Sequence, residues 1–378
     1  MLVPLQDIIG GIVHYIVPFL LMITPIVFFH ELGHFLAGRA CGVRIDTFSI
    51  GFGPAIVSWR DRLGTRWKIA SVPLGGYVKF FGDDNAASTP DRERLAHLSA
   101  EERRVAFPLK PLWQRAIIVA AGPAANFVLA IVILAGFLMA FGSYIAAPFV
   151  SKVVPGSPAQ QAGFRVGDTV VSVNGTPIEG FDEIRNLIWD RAGEQLTIRV
   201  QRQGKIVPLH VTPQLTTQDL PGGKQKVAVL GITGPTDLKL WTHVTYGPLP
   251  ATAEACRQTW SIITTTFDQL WRIVTGRGRS SELSGPIGIT KLAGDVAAVS
   301  YLSLFRLAAL ISISIGLVNL FPIPILDGGH LLYYGFETVL GRPLGAKAQD
   351  LGFRLGLAVM VCLMLLAAWN DLSRLNLF

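Results

Sequence analysis

The sequence is poor in charged residues. Asp, Glu, Lys and Arg make up only 16% of its 378 residues, whereas 50% are hydrophobic. Soluble domains carry about 25% charged residues, so this shortage argues against an ordinary cytosolic enzyme. It also excludes a disordered chain, because disorder requires low hydrophobicity and high charge. Length alone indicates about two or three domains.

Cysteine is scarce and widely spaced. The three cysteines, Cys41, Cys256 and Cys362, form no Cys-x-x-Cys pair, so the pattern predicts neither a disulfide scaffold nor a cysteine-ligated zinc site. The net charge of +7 would fit a nucleic-acid partner, but basic stripes interleaved with aromatic residues are missing. We therefore expect no nucleic acid as a partner, and a lipid bilayer instead.

The chain does contain long apolar stretches, at about residues 8–37, 116–141, 307–325 and 351–369. Each is near or above the ~20 residues that a helix needs to cross a bilayer. Buried core helices are the alternative interpretation. The second and fourth stretches argue most strongly for membrane spans, because Arg354 is the only charged side chain in either.

Lys and Arg are absent before Arg39, and this absence predicts the orientation. The first stretch lacks the positive n-region of a cleaved signal peptide. The loop at 42–112 is rich in Lys and Arg, which marks the cytoplasmic side. We therefore expect this loop inside, with the N-terminus and the region after the second span outside.

The polar regions between the spans carry short-element patterns. Residues 47–59 and 66–80 flank a turn and predict a β-hairpin, which is either an ordinary hairpin or one that dips into the membrane. Outside, about 85 residues with a mixed α/β pattern can form one small domain. Its expected elements are strands at 150–154, 169–173, 196–202, 205–211 and 227–232 and a helix at 181–191. An amphipathic helix is expected at 253–274, followed by a loop at 275–284.

The first apolar stretch carries an HExxH motif, His30-Glu31-Leu32-Gly33-His34. On a helix, positions i and i+4 share a face, so both histidines can bind one zinc ion while the glutamate reaches the reacting water. The alternative is that the histidines merely pack on a helix face. Ionisable groups in a span cost about 2.5 kcal/mol or more on insertion scales, and a bound metal would offset that cost.

A catalytic zinc needs a third protein ligand and one open position. Asp327 is the best candidate, because the first and third spans run toward the same side and both carry their motif late. Pro322 and Pro324 are expected to break the helix, so that Asp327 turns inward from non-helical backbone. His330 is the competing ligand, although a histidine at the membrane surface is the favoured interpretation of that residue. The remaining histidines, which lie away from this pocket, are poor candidates: His14, His97, His210 and His243.

These motifs resemble those of the site-2 proteases, most closely the regulator-of-sigma-E protease branch. The resemblance rests on the HExxH, on Asn-x-x-Pro-x-Pro-x-Leu-Asp-Gly beginning at Asn319, and on Gly75-Gly76-Tyr77-Val78-Lys79. Residues 122–127 and 284–288 match as well. The segment 156–175 resembles a PDZ domain, and the chain has room for one such domain.

The resemblance implies a polytopic α-helical membrane protein in the bacterial inner membrane. It would have four transmembrane helices, a cytoplasmic-side membrane-associated β-hairpin and a periplasmic α/β PDZ-like domain. The implied order is a first transmembrane helix (1–41), a cytoplasmic loop with the hairpin (42–112), a second transmembrane helix (113–147), the PDZ-like domain (148–235), a periplasmic amphipathic helix and loop (236–298), a third transmembrane segment (299–330), and a cytoplasmic loop, fourth transmembrane helix and short tail (331–378).

The resemblance also implies intramembrane proteolysis with Zn²⁺ as cofactor. His30, His34 and Asp327 would hold the ion, and Glu31 would act as the general base. Asn126 would contact the substrate or lie behind the metal ligands. The other residues expected to bind substrate are Asn319, Gly75, Gly76, Tyr77 and Val78.

The hairpin would hold the substrate extended by adding a strand to it. The PDZ-like domain would bind peptide C-termini at Leu230, Gly231 and Ile232, or would act only as a size barrier. The expected substrates are single-span membrane proteins, such as an anti-sigma factor already cut externally or a remnant signal peptide, in envelope stress signalling.

Two other function classes compete with the protease. One is a membrane scaffold that recruits envelope partners, against which the intact HExxH weighs. The other is a metal transporter, which would need a polar path that the second and fourth spans do not offer.

Overall fold

The computed structural model describes residues 10–83, 95–188, 191–220, 223–275 and 285–374. The chain forms two compact units, a helical unit (Met1–Gly136 with Ala251–Phe378) and an inserted unit (Phe137–Pro250). The helices are α1 (Val17–Ala40), α2 (Ala100–Val105), α3 (Leu112–Phe141), α4 (Pro158–Gln161), α5 (Phe181–Ile188), α6 (Pro248–Val274), α7 (Pro286–Val299), α8 (Tyr301–Asn319), α9 (Asp327–Leu340) and α10 (Ala346–Arg374). The strands are β1 (Ile45–Arg60), β2 (Arg66–Phe80), β3 (Ser143–Ala146), β4 (Lys152–Val153), β5 (Thr169–Val173), β6 (Thr176–Pro177), β7 (Leu196–Arg202), β8 (Lys205–Val211), β9 (Gln214–Leu220), β10 (Gly223–Val229), β11 (Ile232–Thr233) and β12 (Trp241–Val244).

The prediction of four apolar helices of membrane-spanning length is confirmed. Among the described residues, four helices are long and apolar enough to cross a membrane: Ile12–Ala40, Leu112–Phe141, Tyr301–Asn319 and Lys347–Ser373. One boundary was wrong, since the third stretch was expected to continue to residue 325. Helix α8 ends at Asn319, because Pro322 and Pro324 cannot continue a helix.

Glycines let the spanning helices approach each other closely around the HExxH motif. A side chain at Gly33 of α1 would overlap the backbone oxygen of Ala121 in α3, and one at Gly122 of α3 would overlap the His34 ring. Gly316 of α8 also lies directly against α3. Small residues at helix contacts are typical of membrane proteins, and here they bring α1, α3 and α8 together beside the motif.

Helix α9 corrects the expected position of Asp327. We expected this residue on non-helical backbone, but Asp327 is the first residue of α9 and Leu326 is the N-cap. The prolines do end α8, and the chain then resumes helical geometry within a few residues. An ion pair of Arg115 in α3 with Glu337 in α9, 2.5 Å between Nη2 and Oε1, holds α9 against α3.

Helix α7 was also not predicted, because no helix was expected between the loop at 275–284 and the third transmembrane segment. Asp371 of α10 is buried and accepts hydrogen bonds from the backbone N–H groups of Gly285 and Gly288, at 3.0 and 2.8 Å. A carboxylate from another helix therefore caps the start of α7. The expected amphipathic helix is confirmed as α6. In the loop expected at 275–284, residues 276–284 lie outside the described residues.

Strands β1 and β2 confirm the predicted hairpin and bend so that they pair along three stretches. Residues 45–50 pair with 76–80, residues 47–50 also pair with 66–69, and residues 55–60 pair with 66–70. Within the described pairings, segment 76–80 has a partner on one side only and is therefore an edge of the sheet. Gly51 and Gly75 at the bends have φ values of +84° and +88°, which favour glycine.

The hairpin sheet lies along α1. Asp61 in its turn pairs with Arg39 at 3.4 Å, near the end of the helix. At the bend of the sheet, the Pro73 carbonyl accepts a hydrogen bond of 3.5 Å from Thr24. The stretch from Thr24 to Arg39 corresponds to about 22 Å of helix, so the sheet accompanies the helix over much of its length.

The inserted unit is a small α/β fold around a four-stranded sheet in the order β6-β5-β7-β8. The strands expected at 169–173, 196–202 and 205–211 are confirmed. The helix expected at 181–191 is seen as α5 to Ile188, and residues 189–190 lie outside the described residues. The strand expected at 227–232 is interrupted between β10 and β11, because Gly231 turns the chain with φ of +84°.

A buried ion pair ties β5 to β7 in this unit. Arg202 Nε and Nη2 donate to the two carboxylate oxygens of Asp168 at 2.7 and 2.8 Å. Burial raises the pKa of Asp168, but hydrogen bonds from Arg202 and from the Arg165 backbone lower the pKa further than burial raises it. The carboxylate therefore stays charged at neutral pH, which keeps the pair intact.

Candidate active site

Three side chains of the helical unit converge on one point. His30 Nε2 lies 3.2 Å from His34 Nε2 and 3.2 Å from Asp327 Oδ2, and His34 Nε2 lies 3.4 Å from Asp327 Oδ2. Among the described residues, these are the histidine, cysteine and carboxylate side chains close enough to share a metal ion. The histidines come from one face of α1, and the aspartate comes from the first turn of α9.

This triangle fits a zinc ion. Bonds of about 2.0–2.1 Å at tetrahedral angles place ligand atoms about 3.3 Å apart, which matches the observed spacing. Two histidines and one carboxylate with an open fourth position are also a donor set of catalytic zinc sites.

The hydrogen bonding of His34 supports the same interpretation. His34 Nδ1 donates to the Ile118 carbonyl at 2.9 Å, so in the neutral ring Nε2 carries no proton. His34 Nε2 and Asp327 Oδ2 then face each other as two acceptors, and a cation between them would satisfy both.

A cavity of about 200 Å³ opens at the triangle. Besides the three converging side chains, it is lined by Glu31, by Gly76, Tyr77 and Val78 of the edge segment, and by Asn319 at the end of α8. The structure therefore brings most of the predicted site residues to one place. Gly75 and Asn126 are not among the lining residues.

The edge segment approaches Glu31 because residue 76 is a glycine. A Cβ on Gly76 would come within 3.1 Å of Glu31 Cγ and 2.8 Å of the Ser49 carbonyl oxygen. A larger residue would thus push the segment away from the helix that carries the motif.

Asn126 of α3 lies behind His30. Its Nδ2 is 3.3 Å from His30 Nδ1, its side chain is fully buried, and its backbone carbonyl accepts a hydrogen bond of 2.8 Å from Ser312 of α8. Of the two roles expected for Asn126, this position favours the one behind the metal ligands. His330 lines the cavity but is not part of the converging group.

Comparison with known proteins assigns the chain to a family. The sequence profile of peptidase family M50 matches residues 18–363. The chain belongs to peptidase family M50. A relative from Agrobacterium fabrum, named as a zinc metalloprotease, is 44% identical over 367 residues, which is 97% of either chain. The metalloprotease MmpA of Caulobacter vibrioides is 41% identical over 391 residues, covering 97% of this chain and 98% of its own.

This M50 peptidase is therefore an enzyme, a zinc metalloprotease of the site-2 protease family. That membership decides against the scaffold and the metal transporter as function classes. It also agrees with the zinc cofactor that the HExxH motif predicted.

A solved structure overlaps part of the M50 peptidase. The PDZ domain of an SdrC-like protein from Listeria monocytogenes aligns with 24% of this chain and 87% of its own, at 18% identity and a TM-score of 0.20. A score this low does not assign a fold.

The predicted peptide-binding residues of the inserted unit lie at the turn between β10 and β11. Leu230 is buried in the core of the unit, and its carbonyl accepts a hydrogen bond of 2.9 Å from the Ala159 backbone. The Gly231 carbonyl accepts one of 2.8 Å from Val154, and Ile232 pairs with β4. Their role in peptide binding stays a prediction.

Ile325 lines the cavity two residues before Asp327 and was not predicted as a site residue. Its φ is +124°, a conformation that is unfavourable for a β-branched residue and costs about 1–3 kcal/mol. Such strain occurs where the surrounding structure imposes it, here on the short connection from α8 to α9. No sequence pattern signals it.

Gly122→Ala is expected to damage the site of the M50 peptidase. The added methyl would overlap the His34 ring, so we expect at least a tenfold fall in cleavage and weaker zinc retention. Gly136→Ala in the same helix is the matched control, because nothing lies within 4 Å of its Cβ. Equal activity of the two purified variants would contradict the close approach of α1 and α3.

Proposed function

We propose that this M50 peptidase is an intramembrane zinc endopeptidase that cuts single-span membrane proteins. In this proposal His30, His34 and Asp327 hold the zinc ion, and Glu31 is the general base. The observation that carries it is the convergence of three ligand atoms, 3.2–3.4 Å apart, beside helices long enough to span a membrane.

The proposed chemistry is shared between the metal and the chain. Zinc, when bound, supplies Lewis acidity that lowers the pKa of a water and polarises the scissile carbonyl. Glu31 lines the cavity and takes a proton from the attacking water, then passes it to the leaving amine. The Asn319 amide, in the same cavity, donates a hydrogen bond to the oxygen on which negative charge develops.

We propose that the edge segment holds the substrate extended. A helical substrate uses its backbone groups within the helix, so its peptide bonds are hidden from the protease. The segment 76–80 is paired on one side within the described residues and contributes Gly76, Tyr77 and Val78 to the cavity. A substrate strand added to this edge would lie beside Glu31.

The proposed setting is the bacterial inner membrane, with the active site near the cytoplasmic side. The basic residues of the first loop support that orientation. The hairpin sheet runs along α1 for about 22 Å and exposes apolar side chains such as Phe52, Ile56 and Val72. Both features support a sheet that dips into the membrane.

Cysteine labelling tests this orientation. In a variant without Cys41, Cys256 and Cys362, a cysteine at Ile206 of the inserted unit should react with an impermeant maleimide in intact spheroplasts. A cysteine at Leu63, in the hairpin turn, should react only after lysis. Both sites are exposed, at 61% and 70%, so the reverse pattern would refute the orientation.

The proposed substrates are membrane proteins whose external part has already been trimmed, such as an anti-sigma factor in envelope stress signalling or a remnant signal peptide. The inserted unit would be the PDZ-like domain and would filter these substrates, by binding new C-termini at Leu230, Gly231 and Ile232 or by excluding bulky external parts.

The test is cleavage by the purified full chain in lipid vesicles. A single-span substrate is supplied with its external domain and without it, and each form is incubated with the wild type and with Glu31→Gln. We expect the wild type to cut the trimmed form faster and Glu31→Gln to cut neither. Cleavage of both forms at equal rates would contradict the filter, and failure to cut either would contradict the function.

A further inference from the structure

We propose that Asn126 is a positioning residue, whose side-chain oxygen accepts a hydrogen bond from His30 Nδ1 and thereby aims His30 Nε2 at the metal. The inference rests on the proposed function, because it takes His30 as a zinc ligand. It assigns Asn126 to the support of the ligand set rather than to substrate contact.

The side-chain amide of Asn126 is buried inside the helical unit. Its Nδ2 lies 3.3 Å from His30 Nδ1, and its Oδ1 is buried without a hydrogen-bond partner. A buried amide oxygen without a partner is energetically unfavourable. The two ends of an amide have the same shape, so the hydrogen bonds decide which end faces His30.

The position of His30 decides which end of the Asn126 amide faces its ring. Its Nε2 faces His34 Nε2 and Asp327 Oδ2 at 3.2 Å each. A nitrogen that ligates a metal carries no proton, so the proton of the neutral ring is on Nδ1. Nδ1 is then a donor and needs an acceptor, which Nδ2 cannot be. With Oδ1 turned toward His30, the ring and the amide oxygen satisfy each other.

His34 has the equivalent support from the same helix, since its Nδ1 donates to the Ile118 carbonyl of α3. Helix α3 therefore orients both imidazoles of α1, with one backbone oxygen and one side-chain oxygen. Ser312 of α8 fixes the Asn126 backbone by donating to its carbonyl at 2.8 Å. Partners of this kind set the ring orientation of ligating histidines.

The test measures zinc retention by the purified full chain against a competing chelator. Asn126→Leu keeps a similar volume but offers no acceptor, and we expect its zinc affinity to fall about 10–100-fold. Asn126→Asp keeps an acceptor in the same place and should stay within a few-fold of the wild type. Ser312→Ala removes a buried hydrogen bond between the same helices without touching His30, and it should retain zinc within about twofold of the wild type.

The outcomes distinguish a failure of the positioning role of Asn126 from a failure of the proposed zinc-ligand set. A wild type that binds no zinc would refute the proposed ligand set itself. If the wild type holds one zinc ion and Asn126→Leu holds it equally tightly, the positioning role is overturned. Equal zinc loss in Ser312→Ala would attribute the effect to helix packing and also overturn it. Should Asn126→Leu fail to fold, a folded Asn126→Asp that loses zinc gives the same refutation.

Discussion

Replacing Glu31 with Gln is expected to lower cleavage by about 10²–10⁴-fold, the contribution of a positioned general base. Gln has the same shape but cannot take a proton from water. Glu31 lines the cavity beside the converging ligand atoms and is not itself one of them, so zinc binding should be unchanged. The measurement pairs a cleavage rate with the zinc content of the same preparation.

Glu254→Gln is the matched control for this change. Glu254 lies on α6 and pairs with Arg257, outside the residues that line the cavity, so the same chemical change there should leave the cleavage rate within about twofold, because such pairs contribute little. Full residual activity of Glu31→Gln would show that Glu31 is not the general base. A parallel loss of zinc would show that its role is structural.

Replacing Asp327 with Ala is expected to release the metal and abolish cleavage. Asp327 supplies one of three converging ligand atoms, and its Oδ2 lies within 3.4 Å of both imidazoles. Loss of an outer partner of a ligand already costs about 10–100-fold in metal affinity, so loss of the ligand itself should cost more. Zinc per chain, measured after dialysis against a weak chelator, should fall from one to near zero.

Asp350→Ala provides the comparison for Asp327. Asp350 is an exposed carboxylate of α10 that pairs with Arg354, and its loss should leave zinc content unchanged. If the Asp327→Ala protein folds and still holds one zinc ion, the third zinc ligand must be another side chain. His330, which also lines the cavity, would then be the next to replace.

The sequence predicted the site better than it predicted the path of the chain around it. The HExxH spacing is local, so helical periodicity alone puts His30 and His34 on one face. Asp327 was predicted as a ligand from the matching direction of two spans. Helix α9, which carries Asp327, was not predicted. This helix is held against α3 by the ion pair of Arg115 with Glu337, and such tertiary contacts leave no periodic signal in the sequence.

Helix α7 was missed for the same reason, because it depends on a tertiary contact. It starts where Asp371 of another helix caps it, and a cap supplied from about 80 residues away in sequence cannot be read locally. The interruption between β10 and β11 depends on Gly231, which an apolar run at 227–232 conceals. The acceptor behind His30 likewise comes from α3, and its identity required the position of the Asn126 amide.

The position of the cut in a single-span substrate shows whether the M50 peptidase cleaves within the membrane. The purified chain is incubated in lipid vesicles with a trimmed substrate, and the products are mapped by mass spectrometry with and without a zinc chelator. We predict a cut inside the membrane-spanning segment that disappears with the chelator and in Glu31→Gln. A cut only in the water-exposed flanks would contradict intramembrane cleavage, and one that persists in Glu31→Gln would contradict the role of Glu31 as general base.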